Sequence, residues 1–166
     1  MFNNNDKQEI AIYIPEGMEF DDVFISAGIG KTEIENIIAN KINLDIGIGD
    51  TKIQNIISKQ ETKINGGIGR LQISSGELNN LKLDTGVGEA SIAAKITGDA
   101  KFDNGIGKTK IEVQGNKEDY AVKVSTGIGS ITIDNEKCKD DNTYGDGDNK
   151  IVVDGGIGNV EIDFFN

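Results

Sequence analysis

Residues 26–53 read SAGIGKTEIENIIANKINLDIGIGDTKI, and the fold follows from the way this stretch repeats. It holds two Gly-Ile-Gly tripeptides, at Gly28 and Gly47, and the tripeptide recurs (once as Gly-Val-Gly) at Gly67, Gly86, Gly105, Gly127 and Gly156. The intervals are 19, 20, 19, 19, 22 and 29 residues. Self-similarity at a period near twenty marks a solenoid, in which each repeat buries its apolar side only against its neighbours.

Aligned on the first glycine, the repeats share four aliphatic columns. Five and three residues before it stand pairs such as Ile42 and Leu44, or Leu81 and Leu83; four and six residues after it stand pairs such as Thr51 and Ile53, or Ala90 and Ile92. Steps of two are the period of a strand with one face buried. A further column lies between the glycines: Ile29, Ile48, Ile68, Val87, Ile106, Ile128 and Ile157. It is expected to turn inward, with the bend made by the flanking glycines. The corner glycines are therefore Gly28, Gly30, Gly47, Gly49, Gly67, Gly69, Gly86, Gly88, Gly105, Gly107, Gly127, Gly129, Gly156 and Gly158. β-Branched residues at period two, with glycine at every repeat, oppose a helix.

The expected fold is all-β: a single-stranded parallel β-helix, or β-solenoid, of about seven to eight coils of 19–20 residues, right-handed in winding. Residues 1–8 form a short tail and 9–166 one solenoid domain, with 136–150 an irregular inserted loop. Glu9–Ile14 alternates well and should open the first, incomplete coil. Phe164 and Phe165 should plug the far end, where a solenoid otherwise exposes an unpaired edge.

Composition mostly excludes. The net charge is −11, which repels nucleic acid and anionic lipid. There is no His, which removes the Ser-His-Asp and Cys-His catalytic designs and imidazole metal ligands. Cys138 is the only cysteine, so neither an intrachain disulfide nor a cysteine-cluster zinc site is available. The opening MFNNNDKQEI has no apolar core of a signal peptide, and no run is long enough to cross a membrane. The chain as given reads as soluble, any export signal or anchor lying outside it.

Two polar features were weighed as sites. A column two residues before each first glycine, Ser26, Asp45, Asn65, Asp84, Asp103, Ser125 and Asp154, would suit cations or a polysaccharide. The plainer reading has each side chain accepting hydrogen bonds from its own corner's N–H groups. In the 136–150 loop, Asp140, Asp141, Asp146 and Asp148 are weak candidates for Ca²⁺, since the D-x-D-x-D-G spacing of a calcium loop is absent. Cys138 lies between two lysines that would lower its pKa, but with no resolving cysteine or base beside it. No catalytic residue and no cofactor site is assigned.

IAIYIPEGMEFDDVFISAGIG (10–30), with GIGKTEIENI, GIGDTKIQNI and VVDGGIGNVEIDF, resembles the bacterial β-strand repeat family labelled as adhesins, first described as a domain of unknown function. The likeness runs over about residues 9 to 166 and implies a single-chain β-helix and an extracytoplasmic, envelope-associated location. It carries over no catalytic or binding residue. The expected function is a non-enzymatic surface module for adhesion or scaffolding. Its partners would be a protein or cell-surface glycan, with self-association through the solenoid ends. The alternatives are an accessory or sensing domain docking onto envelope proteins, and, less favoured, a carbohydrate-active enzyme, against which stand the short coils and the few aromatics for sugar stacking.

Overall fold

The computed structural model describes residues 9–166, so the expected tail at 1–8 lies outside the described residues. Within them the strands are β1 (Phe20–Ser26), β2 (Ile29–Asp45), β3 (Ile48–Asn65), β4 (Ile68–Ile73), β5 (Gly76–Asn79), β6 (Leu81–Thr97), β7 (Asp99–Gln114), β8 (Tyr120–Ser125), β9 (Ile128–Ile133), β10 (Glu136–Lys137), β11 (Asn142–Tyr144), β12 (Asn149–Asp154) and β13 (Ile157–Phe165). A short 3-10 turn, Lys117–Asp119, precedes β8. The protein is all-β apart from that turn.

Successive repeats pair in parallel and in register, so like residues stack: Ile34 on Ile53 on Ile73 on Ile92 on Ile111. The four aliphatic columns share one continuous core with inward residues of the return segments, Ile37, Ile56, Leu78 and Ile96 among them; Ile42, Ile53, Ile64, Leu83, Ile92 and Phe102 are shut off from solvent. Burying each such side chain is worth about 1.5–3 kcal/mol before conformational entropy is subtracted.

The column between the glycines does not join this core. Ile29, Ile48, Ile68, Val87, Ile106, Ile128 and Ile157 all face solvent, contrary to the inward orientation expected of them. The reason is pleat parity. The step of three from Ile48 to Thr51 is not a slip but an ordinary alternation, one residue out and the other in. The parity breaks one residue earlier: Ile46 packs against the core, whereas Ile48, two residues on, lies outside. The chain turns its corner at Gly47.

The stacking order departs from chain order. The strands run β1-β2-β3-β4-β6-β7-β12-β8-β11, so the C-terminal repeat is not last. β12 lies between β7 and β8, and β13 between β7 and β9, each pairing in parallel on both sides. The spatial order of the corner ladder is therefore Ile29, Ile48, Ile68, Val87, Ile106, Ile157, Ile128.

The sheet is also mixed, not wholly parallel. β10 folds back antiparallel on β9 and β11 antiparallel on β8. The irregular 136–150 loop is thus the cover of the far end: it occupies the hydrogen-bonding edges that the β8–β9 repeat would otherwise leave bare. The expected Phe plug is corrected accordingly. Phe164 is half-buried within the stack, beside Tyr120, and Phe165 is exposed.

At the near end, Glu9–Ile14 forms no strand, and Ile10, Ile12 and Tyr13 are exposed, contrary to the expected first coil. Pro15 introduces a turn closed by the Met18 N–H donating to the Pro15 carbonyl. Among the described residues β1 then pairs with β2 alone.

Candidate functional site

Both glycines of a corner are demanded by the stack. A Cβ on Gly47 would fall onto the Gly28 carbonyl oxygen, and one on Gly49 onto that of Gly30. The second glycine adds a conformational demand: Gly49 has φ of +137°, a region closed to side chains. The same holds at Gly67 and Gly69, Gly86 and Gly88, Gly105 and Gly107, Gly127 and Gly129, and Gly156 and Gly158. Gly28 and Gly30 differ in packing, since a Cβ there would meet nothing within 4 Å among the described residues, although Gly30 keeps the positive φ of +141°.

These corners set the aliphatic ladder on the outside of the molecule. Two residues after each ladder position comes an exposed column that reads, in spatial order, Lys31, Asp50, Arg70, Glu89, Lys108, Asn159 and Ser130. Its charges alternate in sign along the rod. Arg70 lies 3.8 Å from Asp50 and 3.5 Å from Glu89. Shallow depressions follow the corners, one lined by Ile46, Ile68, Leu83 and Val87, another by Ile106, Lys108 and Ile157.

The polar column before the corners is tied across repeats rather than to its own turns. Asn65 donates to Asp45, and Lys101 reaches Asp103 at 2.7 Å and Asp154 at 3.3 Å. Corner N–H groups find other acceptors: Gly105 donates to the Thr85 hydroxyl at 2.9 Å. Among the described residues, the side chains of Asp45, Asp84, Asp103 and Asp154 accept no hydrogen bond from their own corners, which corrects that expectation.

The loop carboxylates are not gathered. Asp140 accepts from the Thr126 and Asp141 N–H groups at 2.7 and 3.0 Å, which hold its carboxyl below the ordinary value, with the Thr126 bond the chief cause. Asp141 reaches Lys123 at 3.7 Å, while Asp146 and Asp148 are exposed. Among the described residues no group of three or more His, Cys, Asp or Glu converges as a metal would require.

Cys138 is buried beneath the end cover, its N–H donating to the Ile131 carbonyl at 2.9 Å. Burial pushes its thiol up, against the lowering expected from the adjacent lysines, which are exposed.

Two polar links at the capped end were not read from sequence. Asp134 and Asn135 have φ of 48° and 64°, the left-handed pair of a two-residue hairpin joining β9 to β10. The Asp134 carboxylate accepts from Lys117 Nζ at 2.6 Å and from the Phe164 N–H at 3.0 Å. Burial opposes its ionisation, but these two donors outweigh it and hold the carboxyl below its ordinary value. Tyr120 donates its hydroxyl to the Ile96 carbonyl at 3.0 Å, and burial raises its pKa. The Asp-Asn dipeptide at 134–135 was a turn signal in plain view; the others join residues that no local pattern connects.

A family model described as Toastrack DUF4097 matches residues 1–94, more than half of the chain. No curated protein and no solved structure matches the chain. No helix among the described residues is long and apolar enough to cross a membrane.

Proposed function

Because the chain belongs to the Toastrack DUF4097 family, whose fold is β-solenoid-like, we propose that it is a non-enzymatic scaffold that presents repeated outer faces to partners. In this reading the stack is one right-handed parallel β-helix of seven to eight coils, forming a single domain over 9–166. It works outside the cytoplasm, at the cell envelope, and adhesion to a protein or surface glycan is its finer role.

One observation carries the proposal: an apolar ladder runs in register along the exposed corners, and among the described residues no acids converge. The carboxyls of Glu33, Asp134 and Asp140 are held below their ordinary values, the Lys31 hydrogen bond being the main cause at Glu33. A glycosidase acid needs the opposite, a carboxyl held protonated near neutrality. The purified chain should retain whole cells or envelope fractions in a pull-down and release no product from a glycan panel. Turnover of any glycan, or no retention by any envelope fraction, would overturn the reading.

The open end supports a second reading, an accessory domain that docks by strand addition. Among the described residues β1 has one edge without a partner strand, and Gly28 and Gly30 leave room there for another backbone. Co-purification with an envelope protein, lost on substitution in β1 but not at the capped end, would favour it.

A further inference from the structure

We propose that the ladder Ile29-Ile48-Ile68-Val87-Ile106-Ile157 is the interface of a homodimer in which a second copy of this chain lies face to face and antiparallel. The inference does not depend on the adhesion reading.

The ladder is too large and too regular to be incidental. Its members, with Ile128, are 46% to 86% exposed and stand in unbroken register. At about 4.8 Å per step the stripe runs roughly 29 Å. The six residues of the proposed interface offer on the order of 600 Å² to solvent, at the upper end of the 300–600 Å² of a typical monomer's largest apolar patch. A standard interface buries roughly 800 Å² on each partner, so the stripe and its immediate flank suffice for one. Glycines on both sides of every ladder residue leave no neighbouring side chain on the same strand to block close approach.

The nearest flanking column, two residues from the ladder, fits a reversed second copy. Two rods related by a twofold axis perpendicular to their length bring the columns running from Lys31 to Asn159 opposite each other, one reversed. Because the signs alternate as Lys31, Asp50, Arg70, Glu89, Lys108, a reversed copy matches opposite charges only when the axis passes between repeats. With the axis between Arg70 and Glu89, Arg70 faces the second copy's Glu89 and Asp50 faces its Lys108. The same register sets Ile68 against Val87, Ile48 against Ile106 and Ile29 against Ile157. An axis on a repeat would set like charges opposite each other, which costs affinity. The column fits two such axes, one after Asp50 and one after Arg70; only the second also pairs all six ladder residues, and it is the register proposed, despite the chain's charge of −11.

Sedimentation of the whole chain should show a dimer that dissociates on dilution. I68K places a cation against an apolar partner at the centre of the interface, twice per dimer. It should raise the Kd at least about tenfold while the circular dichroism spectrum and Tm stay unchanged, since Ile68 is already more than half exposed. The register is read by cross-linking. Ile48 and Ile106 are three spacings apart in one chain, about 14 Å, too far for an internal disulfide. Mixed I48C and I106C chains should cross-link under mild oxidation, and neither variant should do so alone. A chain that stays monomeric up to about 100 μM, or I48C chains that cross-link to one another as readily as to I106C, would overturn the proposal.

Discussion

The ring of Phe164 packs on that of Tyr120, centroids 5.1 Å apart and tilted by 49°. Tyr120 opens the outermost repeat and Phe164 nearly ends the chain, so this contact joins that repeat to the strand inserted beneath it. The β8–β9 repeat meets the rest of the stack chiefly through β12 and β13. Replacing Phe164 with Ala should cost about 2 kcal/mol in denaturant unfolding, less than a fully buried Phe because its ring is half-buried. Amide exchange should rise first over 120–133. Uniform loss of protection along the chain would contradict this.

A chain terminated after Asp148 loses the strands that hold the cap in place. Its far end should become a protease target between Gln114 and Tyr120, while the core from Ile37 to Ile111 stays protected. Limited proteolysis with mass analysis of the fragments reads the outcome directly.

Glycine corners should differ by position. G67A drives a methyl group into the Gly47 carbonyl and should destabilise by about 3 kcal/mol. G28A has open space and an ordinary φ, and should fall within about 0.5 kcal/mol of the parent. Equal penalties at the two positions would mean that Gly28, too, is packed against a neighbour.

Asp134 makes stability pH-dependent in a predictable direction. Its folded pKa lies below the unfolded value, so its contribution is fully present above about pH 4 and is lost as pH falls through the folded value. Lys117 is raised, chiefly by the hydrogen bond to Asp134, so its share is present below its ordinary value and lost as pH climbs through the folded one. D134N should cost about 1 kcal/mol at neutral pH, solvent screening keeping the figure small. The gap from the parent should close in acid, followed by chemical denaturation between pH 7 and 3. A gap independent of pH would assign the loss to the hairpin turn instead.

Cys138, buried and with a raised pKa, should react with a thiol reagent at least about a hundredfold more slowly in the folded chain than in denaturant. Fast reaction in the native state would mean that the 136–150 cover opens readily.

Much of the fold was legible because it is written within each repeat. The pairs at Ile42 and Leu44, or Ala90 and Ile92, announce buried strand faces through alternation alone, and the glycine pairs announce close approach of neighbouring backbones. The outward face of Ile48 is legible as well, by counting the pleat back from Ile53 and Thr51, although an aliphatic residue repeated in every corner suggests the core. The candidate loop carboxylates were visible in sequence, but their use as caps and ion-pair partners depends on Thr126 and Lys123, which the fold alone brings near.

The chain by itself determined the β-strand character, the core columns and the glycine corners, because each depends on alternation and sterics over a few bonds. Only the tertiary structure decided that the last repeat slips between its two predecessors and that a hairpin-forming loop closes one end. The repeats are near-copies, so any of them offers a neighbour the same register and the same aliphatic columns. Which two become adjacent is settled by long-range terms, the covering of an exposed edge and the seating of Phe164 on Tyr120, that no single repeat contains.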